Sequence, residues 1–171
     1  MEDNPARASE SLMRFFENMR SRIGERRRRH IGIVSEILIR RYALAIGELD
    51  PIHHDEAAAK AAGFAGLVAP PNLLAGVAEW GAGLPEDELT PDGTVRLEGT
   101  GDLRVMGAGE EMELLQPVIA GADVYDEEII ESVDLKQGRS GRIVFVTTLH
   151  EFVEADGTVL NRNRRTILAR A

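Results

Sequence analysis

Apolar residues recur at spacings of three and four through the first half of the chain and at every second position through the second half, so helices should precede strands. Leu12, Phe15, Phe16, Met19 and Ile23 form a helical stripe over residues 11–23, behind a polar, frayed stretch over residues 1–10, and Gly24 ends it. Ile31 and Ile33 alternate and predict a short first strand over residues 30–34. Ser35 should cap a second helix with Leu38, Tyr42, Ala45 and Ile46 on its apolar face and Arg40 and Arg41 opposite. Gly47 closes that helix, a turn runs to His53, and Asp55 caps a short helix over residues 56–62 that stops at Gly63. Pro70 and Pro71 favour a helix start, and since only Glu79 is charged between Leu73 and Trp80, that helix belongs in a core. Residues 81–93, rich in Gly, Pro and acid, read as an exposed loop.

From Thr94 the period changes to two, with glycine punctuation, as antiparallel strands require. Val95 and Leu97 begin one strand, residues 104–109 lead into residues 111–117, and Asp123 opens a long strand to about Lys136. Gln137 to Gly141 forms a hairpin turn, residues 142–152 are strongly β-branched and aromatic, and Asp156-Gly157 is a two-residue hairpin signal before a last strand over residues 159–169. Helices first and strands afterwards is the α+β order, with one sheet packed on a buried helix. Trp80, Phe145 and Phe152 are expected in the core rather than stacked on a ligand.

Composition narrows the picture. At 171 residues the chain can bury one ordinary core. The absence of cysteine excludes disulfides and thiolate chemistry and fits a reducing cytoplasm. Twenty Lys and Arg against 29 Asp and Glu give a net charge of −9, which argues against a nucleic-acid surface. Neither a membrane span nor the apolar stretch of a signal peptide is present, so the expectation is a soluble, cytoplasmic protein that engages no membrane and no nucleic acid. Arg26 to Arg29 could meet the phosphates of a ligand or form a solvated helix end, and the second reading is preferred. No metal-ligand spacing, phosphate loop or serine elbow stands out.

Chemistry concentrates between Tyr42 and Trp80. Glu48 and His53 lie five residues apart in a turn framed by Gly47, Asp50 and Pro51, and this pairing of carboxylate and imidazole suits proton transfer. Gly47-Glu48-Leu49-Asp50-Pro51-Ile52-His53 resembles the Gly-Asp-x-Asn-Pro-x-His signature of MaoC-like (R)-specific enoyl-CoA hydratases and acyl dehydratases, which have the hotdog fold. Two residues depart from it: Glu48 stands for the usual Asp and Asp50 for the Asn. Asp55 with its Ala-rich helix, Ala69-Pro70-Pro71, Gly107-Ala-Gly109, Gln116-Pro117-Val118 and Gly141-Arg142 extend the likeness to roughly residues 28–170 and to the N-terminal type of MaoC dehydratase. The implied organisation is a helical extension over residues 1–27 and a single hotdog domain over residues 28–171, with no internal repeat.

The resemblance implies a reaction that needs no cofactor or metal: hydration of a trans-2-enoyl thioester, or dehydration of a 3-hydroxyacyl thioester, carried by coenzyme A or acyl carrier protein. In dehydration His53 would take the α-proton and Glu48 would hold the leaving hydroxyl. Asp50, Ala69, Asn72 and Leu73 are the expected substrate-binding positions, the Asn72 amide serving the thioester oxygen from the first turn of the helix. Asp50, before a proline, is also a natural turn cap. His54 is expected to face solvent, and His30 and His150 lie far from the motif in sequence. Ala69-Pro70 stands where catalytic relatives carry His-Gly, and proline has no amide hydrogen to donate. That departure keeps a rival open, a non-catalytic acyl-binding subunit beside a catalytic MaoC chain. Other thioester chemistry, hydrolysis or conjugate addition, ranks third. On either main reading the chain should form a homodimer or a heterodimer with another MaoC-like chain.

Overall fold

The computed structural model describes residues 5–77, 100, 103–139 and 141–171, with side chains from residue 8 and through residue 75 of the first segment. The residues expected to begin a strand at Val95 and Leu97, the loop over residues 81–93, Trp80 and the end of the helix that holds it lie outside these. The chain order is α1 (Pro5–Ser21), β1 (Arg26–Ile33), α2 (Glu36–Ile46), a single 3-10 turn (Pro51–His53), α3 (Glu56–Ala61), α4 (Leu73–Val77), β2 (Arg104–Leu114), β3 (Asp123–Gly138), β4 (Gly141–Glu154) and β5 (Val159–Arg170). The strands form one antiparallel sheet in the order β1-β3-β4-β5-β2. This is the expected α+β arrangement.

One face of the sheet carries the core. Pairing aligns Val124, Ile130 and Val133 of β3 with Val144, Val146 and Phe152 of β4 and Ala169 of β5, all buried and all on this inner face. Two apolar clusters cover it. Leu73 and Leu74 of α4, with Ile39 of α2 and Leu67, pack on Val124, Phe152 and Leu160 at one end. Leu12 and Phe15 of α1 pack on Ile130, Val133, Val144, Val146 and Ala169 at the other. The outer face is instead laced by charge: Arg164 pairs with Glu131 and Glu111, and Arg162 with Glu151 and Glu113. The neighbouring carboxylates hold both guanidinium groups above their usual range. Of the two aromatics expected in the core that are described, Phe152 is there, whereas Phe145 is half-buried on the outer face beneath the Lys136 ammonium, 5.0 Å from its ring centre.

Several elements differ from the sequence expectation. Helix α1 begins at Pro5, so residues 5–10 are helical rather than frayed; proline suits a first turn, which needs no amide donor. Arg26 to Arg29 belong to β1 and not to a helix end, because Gly24, at φ +83°, turns the chain back onto β3. There Arg28 meets Glu127 at 3.5 Å and Arg29 meets Asp126 at 3.4 Å. A charged strand at a sheet edge also discourages pairing with another chain. The buried face of α2 is Ile39 and Ala43, with Leu38 and Tyr42 half-buried and Ala45 and Ile46 exposed, a rotation of one residue from the expected stripe. What was expected as two segments over residues 104–117 is a single strand, β2, with a bulge between Gly107 and Gly109 that ends at Leu114.

Candidate active site

The 47–55 segment is built by local caps. Ser35 accepts the Leu38 amide and starts α2, and Gly47, at φ +76°, ends it in the left-handed conformation that a side chain would disfavour. The Asp50 carboxylate accepts the Ile52 amide and caps the 3-10 turn, with Pro51 at its first position. Asp55 then accepts the amides of Ala57 and Ala58 and starts α3. Each cap satisfies a donor that would otherwise be orphaned at a helix start.

Longer contacts fix the turn in place. The Val68 amide donates to the Ile52 carbonyl at 3.1 Å, and the Val68 carbonyl receives His53 Nδ1 at 2.6 Å. The same segment bonds on its other side to residues 118–120, through Ala69 N–H to Val118 O and Ala120 N–H to Leu67 O. His54, expected in solvent, is half-buried: its Nε2 donates to the Glu48 carbonyl at 2.8 Å, while Arg40 donates to the His54 carbonyl. The turn is therefore tied at both ends and at its middle.

This geometry sets the chemistry of His53. The side chain is buried, 5% exposed, and a carbonyl can only accept, so Nδ1 carries the proton. In the neutral ring Nε2 then holds the lone pair and is the nitrogen able to take a proton. Glu48 begins the same turn, half-buried, with Oε1 accepting the Asp50 amide at 3.0 Å. One carboxylate oxygen is thus held by the backbone while the other keeps its full accepting capacity.

The other expected positions spread around this turn. Ala69 and Leu73 are buried in the core that backs it, and the Ala69 amide is already spent on Val118. Asn72 is exposed and stands just before α4 at φ +70°, so the helix begins at Leu73 rather than at the prolines and Asn72 is a left-handed junction rather than a first-turn residue. Asp50 acts as the cap described above.

Sequence reasoning passed over a second polar group. On the inner face, between the two apolar clusters, Asp126 and Glu128 of β3 lie beside His150 of β4, with one ligand atom of each within 4.8 Å of the others. Asp126 is 2% exposed, and His150 Nδ1 lies 3.0 Å from its Oδ1. Period-two spacing places Asp126 and Glu128 on one face, but the hairpin turn alone would have set Glu128 opposite Glu151; the bulge between Ile130 and Ser132 brings His150 there.

A five-stranded antiparallel sheet with Leu73 and Leu74 of α4 packed on its inner face is the architecture of a MaoC-like hotdog domain, the fold shared by the MaoC-like dehydratase from Rhodospirillum rubrum (24% identical, TM-score 0.58, covering 86% of this chain and 92% of that one). The family model described as "FAS1-like, dehydratase domain region" matches residues 21–162, and the chain belongs to that family. A UPF0336 protein of Parafrankia sp. (strain EAN1pec) is 33% identical over 132 residues, which are 77% of this chain and 80% of the relative. A probable enoyl-CoA hydratase alpha subunit of Thermomonospora curvata is 28% identical over 137 residues, 77% of this chain but only 43% of that longer protein. The HadBC (3R)-hydroxyacyl-ACP dehydratase complex from Mycobacterium tuberculosis contains a chain of the same fold, with a TM-score of 0.66 at 22% identity over 86% of this chain and 96% of that one. Among the described residues no helix is long and apolar enough to cross a membrane.

Proposed function

We propose that this protein hydrates trans-2-enoyl thioesters, or dehydrates 3-hydroxyacyl thioesters, of coenzyme A or acyl carrier protein, with His53 and Glu48 handling the proton and the water. The observation that carries this reading is the buried His53, whose Nδ1–H is fixed on Val68 O. Fixing that proton leaves Nε2 as a base of defined direction, and no rotamer search precedes proton transfer. In dehydration Nε2 takes the α-proton, the electron pair forms the C2–C3 double bond, and the β-hydroxyl departs as water with a proton from Glu48. Hydration runs the same steps in reverse. Membership of a dehydratase family supports the reaction class.

Loss of the enoyl-thioester absorbance on mixing purified protein with short and medium trans-2-enoyl-CoA tests this, with His53→Ala as control. Turnover abolished by the substitution is the expected result; full turnover by His53→Ala overturns the assignment.

A second reading is favoured by the oxyanion donors. Pro70 has no amide hydrogen and the Ala69 amide is bound to Val118, so the segment before α4 lacks two of the donors that a developing enolate oxygen would use. On this reading the chain binds the acyl group beside a second MaoC-like chain that performs the chemistry. The two-component HadBC complex and the alpha subunit of Thermomonospora curvata support it by likeness. Turnover that appears only when a co-purifying MaoC-like partner is added, and that survives His53→Ala, is the result this reading expects.

A further inference from the structure

The geometry points to a site for a first-row divalent cation, zinc or one of similar preference, on the inner face of the sheet, held by Asp126, Glu128 and His150 beside the side-chain oxygen of Asn163.

The three ionisable groups come from adjacent strands. Glu128 and His150 are direct cross-strand partners, and Asp126 lies two residues from Glu128 on the same face. Their ligand atoms lie within 4.8 Å of one another. The separations of His150 Nδ1 from the two Asp126 oxygens, 3.0 and 3.3 Å, suit a metal seated between them, since ligands about 2.0–2.1 Å from a tetrahedral ion are roughly 3.3 Å apart. A cation there would replace the proton that the pair now shares.

Asn163 supplies the independent observation. It lies on β5 directly opposite His150 and is 3% exposed. Its Nδ2 donates to Glu110 Oε1 at 2.6 Å, and because a carboxylate only accepts, this fixes the amide orientation and turns Oδ1 away from Glu110. That oxygen is buried and has no hydrogen-bond partner among the described residues. A buried carbonyl oxygen without a donor calls for an explanation, and a bound ion is one that fits the carboxylates and imidazole beside it. Asn163 continues the cross-strand row Glu128, His150, so a cation held by the two carboxylates and the imidazole would lie beside it and give this oxygen a partner.

Charge agrees. Asp126, Glu128 and Glu110 bring three carboxylates to this part of the inner face, and the paired residues Arg29 and Arg165 are the cations on the strand positions around them. Arg29 is 56% exposed and reaches Asp126 Oδ2 at 3.4 Å, whereas His150 Nδ1 lies nearest Oδ1. Mixed nitrogen and oxygen ligands suit zinc, cobalt or manganese, whereas magnesium prefers all-oxygen octahedra.

The test uses the full chain without a histidine tag, stripped with chelator and titrated with Zn²⁺, Co²⁺ and Mg²⁺. The expected result is one equivalent of Zn²⁺ per chain, a Co²⁺ d–d absorption band that Zn²⁺ displaces, thermal stability that rises with Zn²⁺ concentration, and no Mg²⁺ binding. His150→Gln should abolish the band. Glu128→Gln, at a half-buried position that leaves the fold intact, should weaken Zn²⁺ by about tenfold or more, at least the loss that a changed outer-shell partner causes. His30→Ala, which removes the other histidine–carboxylate pair among the described residues, with Asp123, should change nothing. Absence of stoichiometric Zn²⁺ in the unaltered protein overturns the inference. So does Zn²⁺ binding that Glu128→Gln leaves at full strength, even if His150→Gln fails to fold.

Discussion

Glu48 is where a structural role and a chemical role can be separated by one atom. Its Oε1 accepts the Asp50 amide at 3.0 Å, so the side chain braces the turn whatever else it does. Glu48→Gln keeps an oxygen in the same position and removes only the charge and the proton. Stability should then move by less than about 0.5 kcal/mol, the range of substitutions that break nothing. Glu48→Ala also deletes the acceptor and should cost about 0.5–1.5 kcal/mol, toward the low end because the site is half-open to water. If Glu48 delivers a proton to the leaving hydroxyl, Glu48→Gln lowers kcat by the 10²- to 10⁴-fold typical of general acid–base groups, about 2.7–5.4 kcal/mol of barrier. Glu48→Asp restores the residue usual in MaoC-like signatures but withdraws the carboxylate by about 1 Å, enough for a loss of up to about a hundredfold if the turn is positioned for Glu. Urea denaturation reads the stability term, and steady-state rates on an enoyl-CoA of fixed chain length read the chemical one. A Glu48→Gln protein within threefold of the parent in kcat would refute the chemical role. One destabilised as much as Glu48→Ala would refute the bracing argument, since the retained oxygen should hold the Asp50 amide.

Three further outcomes follow from the packing and the caps. Phe15→Ala should cost about 3–5 kcal/mol, because Phe15 is 2% exposed against Val133, Val144 and Val146; a change below 1 kcal/mol by urea denaturation would mean that α1 does not hold the sheet. Asp55→Ala removes the acceptor for two amides and should cost about 1 kcal/mol, checked in the same way, with Asp55→Asn recovering most of it. The Asp156 carboxyl is held below its usual range by the Thr158 amide, so its stabilising contribution is present above the unfolded pKa and is lost as pH falls through the lower folded value. Acid titration of Asp156→Asn should therefore show a shallower loss of stability below about pH 4 than the parent, and identical slopes would count against the turn contact.

What the sequence determined by itself is whatever is satisfied within a few residues. Ser35, Gly47, Asp50 and Asp55 place their caps where their own chemistry puts them, because each donor and acceptor lies two to four positions away. The period-two runs located β3, β4 and β5 and both hairpin turns, since alternation and turn residues are local signals. The Glu48–His53 turn was legible for the same reason. Tertiary structure decided the rest. Arg26 to Arg29 are a solvent-exposed charge run as expected, but they lie in an edge strand because β3 offers them a ladder, with carboxylates for Arg28 and Arg29. The buried face of α2 was displaced by one residue because helix periodicity tolerates that rotation until the sheet selects Ile39 and Ala43. The tautomer of His53 depends on Val68, 15 residues away. The grouping of Asp126, Glu128 and His150 depends on a bulge that adds one residue to β3: a one-residue change of register exchanges the faces of a strand, and only the pairing of the whole sheet sets where that change occurs.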